Sequence, residues 1–278
     1  MNFPFADVST ASLTDLLSLR GRRAVVTGGV QGLGRAIVER LAEAGAAIAI
    51  ADLDADRAAA AAAEVAGRHG VSAVGVRMDV TSSDSVSDAA GAIVEQLGGI
   101  EVWVNNAGVF PSTPLLEMSD EQWDHVFAVN ARGVRNGARE AARRMPEGGV
   151  VVNIASTAGF RGTAPGLAAY VGSKHAARGM TKQLALEFAP RGIRVLGVAP
   201  SYVPTEGNMA AAAAAMAAMA EMQGAGIDTS NMPAAMSQSL IGRMGTPDDI
   251  ARVVLFCASD LSMIMTGSTL LADAGETI

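Results

Sequence analysis

The sequence predicts a doubly wound α/β fold, with one parallel sheet of about seven strands and helices on both faces. Three observations point there. Short runs rich in Val, Ile and Ala alternate with amphipathic stretches of helical length along most of the chain. The runs are apolar at nearly every position, the pattern of strands covered on both faces. And 278 residues, 50% of them hydrophobic and 18% charged, suffice for a single large core.

Taken in order, residues 1–20 read as an N-terminal arm with a short helix at 12–18, and residues 21–278 as one domain. Strands are expected at 24–27, 47–51, 73–77, 102–104, 150–154, 194–198 and 268–271. Helices are expected near 32–44, 55–69, 83–97, 120–144, 167–189 and 247–258. Strand–helix–strand crossovers are right-handed in nearly all parallel sheets, which stacks helices on both faces. Ligands then bind beyond the C-terminal strand ends, where the strand order reverses.

The segment 206–242 breaks this rhythm. It holds an alanine run, Met209, Met216, Met219, Met222, Met232 and Met236, then Gly224, Gly226 and Pro233. Alanine favours helix, and Met216, Met219 and Met222 fall on one side of it. Two readings stand: an amphipathic helix covering core, or a mobile lid over a substrate pocket, where methionine adapts to varied apolar shapes.

Composition excludes several functions. The net charge of -7 argues against DNA or RNA as a partner, because phosphate backbones need Lys/Arg stripes. No apolar stretch approaches the ~20 residues of a membrane helix, and the N-terminus lacks the basic start of a signal peptide. Cys257 stands alone, so no intramolecular disulfide forms and a cytoplasmic setting is expected. His69, His125 and His175 show no metal-ligand spacing, so no metal is expected.

The first strand runs into Thr27-Gly28-Gly29-Val30-Gln31-Gly32-Leu33-Gly34, which opens the first helix. Gly28, Gly32 and Gly34 permit a tight turn, and the N–H groups of the helix behind them, with its positive dipole end, suit a pyrophosphate. A glycine-rich turn alone is a weak signal, since many loops are glycine-rich. Asp52, at the end of the second strand, strengthens it: a carboxylate there accepts hydrogen bonds from an adenosine ribose and repels a 2′-phosphate. Neither Gln31 nor Leu53 supplies a compensating cation. NAD is therefore preferred over NADP.

Tyr170 is one of two tyrosines and Lys174 one of two lysines, yet they stand four apart on one helix face. A phenol with its reference pKa near ~10 is a poor base at neutral pH, and a neighbouring ammonium favours the phenolate. Ser156 closes the strand before that helix, where its hydroxyl would bond a substrate oxygen as charge develops on it. A serine at such a place is by itself usually only a cap.

With these pieces in view, the chain resembles the short-chain dehydrogenase/reductase family from about residue 20 to its C-terminus. The matching motifs are TGGVQGLG at 27–34, Asp79-Val80, NNAG at 105–108, Asn130, NIAS at 153–156, YVGSK at 170–174, PSYVPT at 200–205 and GRMGTPDDIA at 242–251. The resemblance implies a Rossmann-fold catalytic domain and NAD(P)-dependent interconversion of an alcohol and a ketone. It implies that Asp79 and Val80 hold the adenine, and that Asn106, Ala107 and Gly108 line the cofactor cleft. Gln31, Leu33, Pro200 and Val203 join the cofactor site by the same resemblance, and Thr205 fixes the carboxamide. Tyr170 is the implied acid/base, Ser156 orients the substrate oxygen, Lys174 binds the nicotinamide ribose, and Asn130 holds a water leading from Lys174 to solvent. A homotetramer (or a homodimer) built on the helices at 120–144 and 167–189 is implied as well.

Three departures mark this chain. Pro200-Ser201 stands for the usual Pro-Gly, Ser156 and Tyr170 are slightly farther apart than is common, and Asp273-Ala274-Gly275 replaces Asp-Gly-Gly. None removes a catalytic group.

No Lys, Arg or His occurs between Arg194 and Arg243, so the lid segment is poorly suited to gripping carboxylates or phosphates. With Phe110, Phe160, Tyr202 and Val203 as candidate walls, a neutral and mainly apolar secondary alcohol or ketone is the expected substrate; Arg161, five residues after Ser156, is a cation that could still enter the pocket. The alternatives are a polyol or sugar held by Ser201, Glu206 and Asn208, a 3-oxoacyl reductase, and a non-catalytic NAD-binding protein.

Overall fold

In the computed structural model, which describes residues 5–145, 148–206, 209 and 239–278, the strands are β1 (Arg23–Thr27), β2 (Ala47–Asp52), β3 (Ala73–Arg77), β4 (Val102–Asn105), β5 (Gly149–Ile154), β6 (Ile193–Pro200) and β7 (Thr269–Ala272). They form one sheet in the order β3-β2-β1-β4-β5-β6-β7, with each neighbouring pair parallel. The order reverses between β1 and β4, which is where a crevice opens at the C-terminal strand ends.

The helices are α1 (Leu13–Leu17), α2 (Gly32–Glu43), α3 (Ala55–His69), α4 (Ser83–Leu97), α5 (Asp120–Phe127), α6 (Gly133–Arg144), α7 (Ala168–Phe188) and α8 (Pro247–Ala258). Alternating strand residues feed two cores. Ala24, Val26, Ile48 and Ile50 pack with α2, α3 and α8 on one face. Val25, Ala49, Trp103 and Val151 pack with α4, α6 and α7 on the other. Covering both faces is why the strands lack a polar alternation.

Local chemistry sets the ends of these helices. Asp54, Ser82, Ser119 and Thr246 cap α3, α4, α5 and α8, the last two with reciprocal capping boxes. No side chain caps α2, whose start at Gln31–Gly32 faces the crevice. Its first amides remain open to a ligand there.

The arm is anchored. Leu19 is fully buried, and its N–H donates to the Ala44 carbonyl at 2.8 Å. The helix expected as continuous over 120–144 is interrupted by one π-turn at Ala128–Arg132 between α5 and α6. Such bulges cluster at functional sites, and this one carries Asn130. Of the expected lid, residues 207–208 and 210–238 lie outside the described residues. Among the described residues, no helix is long and apolar enough to cross a membrane.

Candidate active site

A cleft of about 680 Å³ runs across the C-terminal strand ends. Asp52 lies at one end and Ser156, Tyr170, Lys174 and Pro200 toward the other. The strands from β2 to β6 are four spacings apart, about 19 Å, a length suited to an extended dinucleotide.

The turn after β1 forms one wall. Gly32 has φ +55°, and a Cβ on it would come within 3.4 Å of Thr205 across the cleft. Gly34 admits no side chain: its Cβ would lie 2.0 Å from the Gly28 carbonyl oxygen and 2.6 Å from Asn106 Nδ2. The Asn106 amide holds the turn by donating to the Thr27 and Gly28 carbonyls at 2.9 and 3.0 Å. The result is a tight cradle of backbone at an uncapped helix start, which fits a pyrophosphate. Gly28, Gln31, Leu33, Ala107, Gly108 and Val203 line the same cleft. These residues would hold a nicotinamide dinucleotide with its adenosine ribose at Asp52.

At the other end β5 and α7 converge. Ser156 follows β5 and caps a short 3-10 turn, its Oγ accepting from the Ala158 N–H at 3.1 Å. Tyr170 and Lys174 share one face of α7, with Lys174 Nζ 5.7 Å from the Tyr170 ring centroid. Lys174 is buried, and its Nζ donates to the Ile154 carbonyl at 2.8 Å. Phe110 meets the Tyr170 ring edge-on at a centroid distance of 6.4 Å, bracing it from the loop after β4.

Burial dominates the electrostatics here. It pushes the Tyr170 phenol above its ordinary value, while hydrogen bonding to Ser156 pulls the other way. Burial also pushes Lys174 down to about 8. The sequence-based expectation that the ammonium brings the phenol down is therefore corrected: burial is the larger influence on Tyr170, and the opposing pull comes from Ser156. At neutral pH the phenol keeps its proton, ready to be donated to a carbonyl oxygen.

Three expected residues stand outside the cleft wall. Asp79 folds back on its own turn, its Oδ1 accepting from Thr81 N–H and Oγ1 at 2.9 and 2.7 Å. The Val80 carbonyl accepts from Asn136 Nδ2 at 2.9 Å. Both lie just past β3, beside the Asp52 end. In Asn130, Oδ1 accepts from the Val109 N–H at 2.9 Å, and Nδ2 donates to the Val109 carbonyl at 2.8 Å and to Ser173 Oγ at 3.0 Å. Its amide thus clamps the 108–110 loop to α7.

Other walls differ from expectation. Phe110 and Val203 line the cleft, but Phe160 lies under the Arg178 guanidinium at 4.0 Å and is not part of the wall. Arg161 is held by Glu276 at 2.7 Å, away from the cleft. Arg57, Val109, Pro111 and His125 line it without having been expected. Arg57 had a readable signal: Asp54 caps α3, which puts position 57 in its first turn, beside the phosphate-binding loop. His125 had none, since its placement depends on how α5 leans over the 109–111 loop.

Comparisons with known proteins find similar chains over nearly the whole length. The family model described as enoyl-(acyl carrier protein) reductase matches residues 28–277. The chain is similar to the 3-oxoacyl-(acyl-carrier-protein) reductase FabG of Aquifex aeolicus, with 34% identity covering 93% of this chain and 98% of that one. It is also similar to the L-2,3-butanediol dehydrogenase of Corynebacterium glutamicum, with 38% identity covering 91% and 97%. Among solved structures, a short chain dehydrogenase from Burkholderia cenocepacia J2315 in complex with NADP superposes with a TM-score of 0.81 at 33% identity, covering 94% of this chain and 99% of that one.

Proposed function

We propose, from the premise that the chain belongs to the short-chain dehydrogenase/reductase family, that this oxidoreductase interconverts a neutral, mainly apolar secondary alcohol and its ketone, with NAD preferred. The observation that carries the reading is the convergence of Ser156, Tyr170 and Lys174 in one cleft whose far end holds Asp52.

A bound nicotinamide supplies the hydride acceptor or donor. The rest falls to the chain. Ser156 Oγ and the Tyr170 hydroxyl would together bond the substrate oxygen, fixing its carbon toward the cleft floor. Tyr170 would give its proton to that oxygen in reduction and take it back in oxidation. Lys174, buried beneath, would stabilise the phenolate that remains. Asn130 would hold the Val109 loop, and so Phe110, against the reacting end.

The substrate class rests on the walls. Val109, Phe110, Pro111, Ile154 and Ala155 are apolar, and Arg161 is engaged by Glu276. The Corynebacterium relative, named for a diol, is consistent with a small neutral alcohol. A second reading, reduction of a 3-oxoacyl thioester, is favoured by the Aquifex relative and the family model. NAD preference rests on Asp52, although the similar Burkholderia structure carries NADP. A cytoplasmic homotetramer is the assembly and setting we infer, and Trp123 and Leu186, exposed on α5 and α7, give those helices apolar surface to pair through.

The test follows reduced nicotinamide with a panel of secondary alcohols, diols and 3-oxoacyl thioesters, with Tyr170→Phe as the control. Tyr170→Phe is expected to lose at least roughly a thousandfold in turnover while still binding dinucleotide. Turnover confined to the thioesters would replace the first reading with the second. Equal turnover by Tyr170→Phe would remove both.

A further inference from the structure

Two of the departures noted along the sequence meet in the fold. The lengthened loop between Ser156 and Tyr170 carries Arg161, and the Asp273-Ala274-Gly275 turn is followed by Glu276. Arg161 Nη2 donates to Glu276 Oε1 at 2.7 Å, joining the two across 115 residues.

The turn fixes the backbone that bears this carboxylate. Asp273 Oδ1 accepts from the Gly275 N–H at 3.1 Å, and Oδ2 accepts from the Thr277 N–H at 3.0 Å and Thr277 Oγ1 at 2.5 Å. The Glu276 N–H donates to the Asp273 carbonyl at 3.0 Å. Ala274 stands at φ +55°, a left-handed backbone that is uncommon for a residue with a Cβ, and its carbonyl accepts from the Leu240 N–H at 2.9 Å.

Arg161 stands beside the reacting end without entering it. Its N–H donates to the Thr157 carbonyl at 3.3 Å, one turn past Ser156. Farther along the same loop the Gly166 carbonyl accepts from the Thr113 N–H at 2.9 Å, so the loop abuts the segment that gives Phe110 and Pro111 to the cleft wall. The Arg161 side chain is 45% exposed, and Glu276 is its one hydrogen-bond partner among the described residues. Only Oε1 of the carboxylate is engaged; Oε2 is buried without a partner. The hold is a single bond rather than a bidentate pair, and most of the guanidinium's five donors are left over.

We propose that Glu276 is a positioning residue that sets the charge preference of the substrate site: by holding Arg161 off the cleft, it keeps the site selective for neutral molecules. The proposal deepens the alcohol reading above and rests on it. With the carboxylate neutralised, the guanidinium is free to turn toward the apolar wall at Val109, Phe110 and Pro111 and to bind a carboxylate on the substrate.

The experiment is steady-state kinetics with the fastest neutral secondary alcohol of the panel and its analogue bearing a terminal carboxylate, such as 2-hexanol and 5-hydroxyhexanoate. The proteins are wild type, Glu276→Gln, Arg161→Met and the double variant. The ratio of kcat/KM for the carboxylate to that for the neutral alcohol should rise roughly ten- to a hundredfold in Glu276→Gln, the factor given by a charge-assisted hydrogen bond. The gain should come through a lower KM for the carboxylate, with NADH affinity unchanged. In the double variant the gain should vanish, since no cation is left to bind. Arg161→Met, which breaks the same pair from the other side, should keep a ratio near that of wild type. A gain retained in the double variant would assign the effect to the lost acid alone and overturn the proposal. So would a ratio within about twofold of wild type in Glu276→Gln, or a wild-type protein that already prefers the carboxylate. Silence of wild type toward every neutral alcohol overturns the alcohol reading itself, and this proposal with it.

Discussion

Lys174 Nζ lies 2.8 Å from the Ile154 carbonyl oxygen, which ties the Tyr170–Lys174 face of α7 to the last residue of β5. The bond is made by a side chain that is only 6% exposed, and burial pushes its pKa down to about 8. The site thus holds a group that costs the fold stability, as functional sites often do.

Below pH 8 the lysine is charged in both folded and unfolded chains, and the folded state bears the burial penalty in full. Between pH 8 and 10.5 the unfolded chain holds a proton that the folded one has released, so wild-type stability contributed by this group rises with pH. Lys174→Met should abolish turnover, and its stability relative to wild type should fall by on the order of 3 kcal/mol across that window. Urea unfolding at pH 7 and pH 10 checks this; a difference independent of pH would count against a depressed Lys174.

Asn130→Ala should loosen the loop that positions Phe110. It removes one acceptor and two donated bonds, leaving the Val109 N–H and carbonyl without these partners, while Ser173 Oγ keeps only its bond to the Tyr170 carbonyl. A loss of about 1–3 kcal/mol is expected, with kcat falling more than dinucleotide affinity. Steady-state kinetics beside a dinucleotide titration separates the two.

Arg194→Met should be the most destabilising of these changes. Its guanidinium is buried on β6 and donates to the Cys257, Ser259 and Ser262 carbonyls and to Ser262 Oγ, closing the C-terminal end of α8. Burial lowers its pKa to about 10, yet four acceptors each lose a donor when it goes, while the Cys257 and Ser259 carbonyls keep one from Ser262 Oγ. The expected loss is about 3–5 kcal/mol, read from the urea midpoint.

Two glycine substitutions should move in opposite directions. Gly34→Ala drives a methyl into the Gly28 carbonyl and the Asn106 amide, and should abolish dinucleotide binding. Gly67→Ala, inside α3 with nothing within 4 Å of the added carbon, should raise stability by about 0.5–1 kcal/mol. Thermal melting and NADH fluorescence together report both.

Much of this protein was legible along the chain. Apolar runs such as 47–51 announce a strand covered on both faces, and they became β2 with Ile48 and Ile50 in one core and Ala49 in the other. The four-residue spacing of Tyr170 and Lys174 announces a shared helix face, and the Gly28–Gly34 turn announces a strand-to-helix junction; both are properties of neighbours in sequence. Asp52 was found because strand ends are readable from where the apolar run stops.

What the tertiary structure decided concerns reach and environment. Arg57 meets Gln31 because α3 stacks next to the turn and a long side chain bridges the gap; the capped start of α3 places it near the turn but does not specify this pairing across 26 residues. Asn130 sits in a π-turn that the periodicity over 120–144 does not show, and there its amide faces Val109 and Ser173. The protonation of Tyr170 and Lys174 likewise follows from how deeply α7 packs against β5. Spacing and hydrophobic period are written locally, so the sequence determined the elements, their order and the candidate catalytic side chains. Desolvation and long-range hydrogen bonds exist only once the layers close, and so the surroundings of Tyr170, Lys174 and Asn130 were settled by the packed fold.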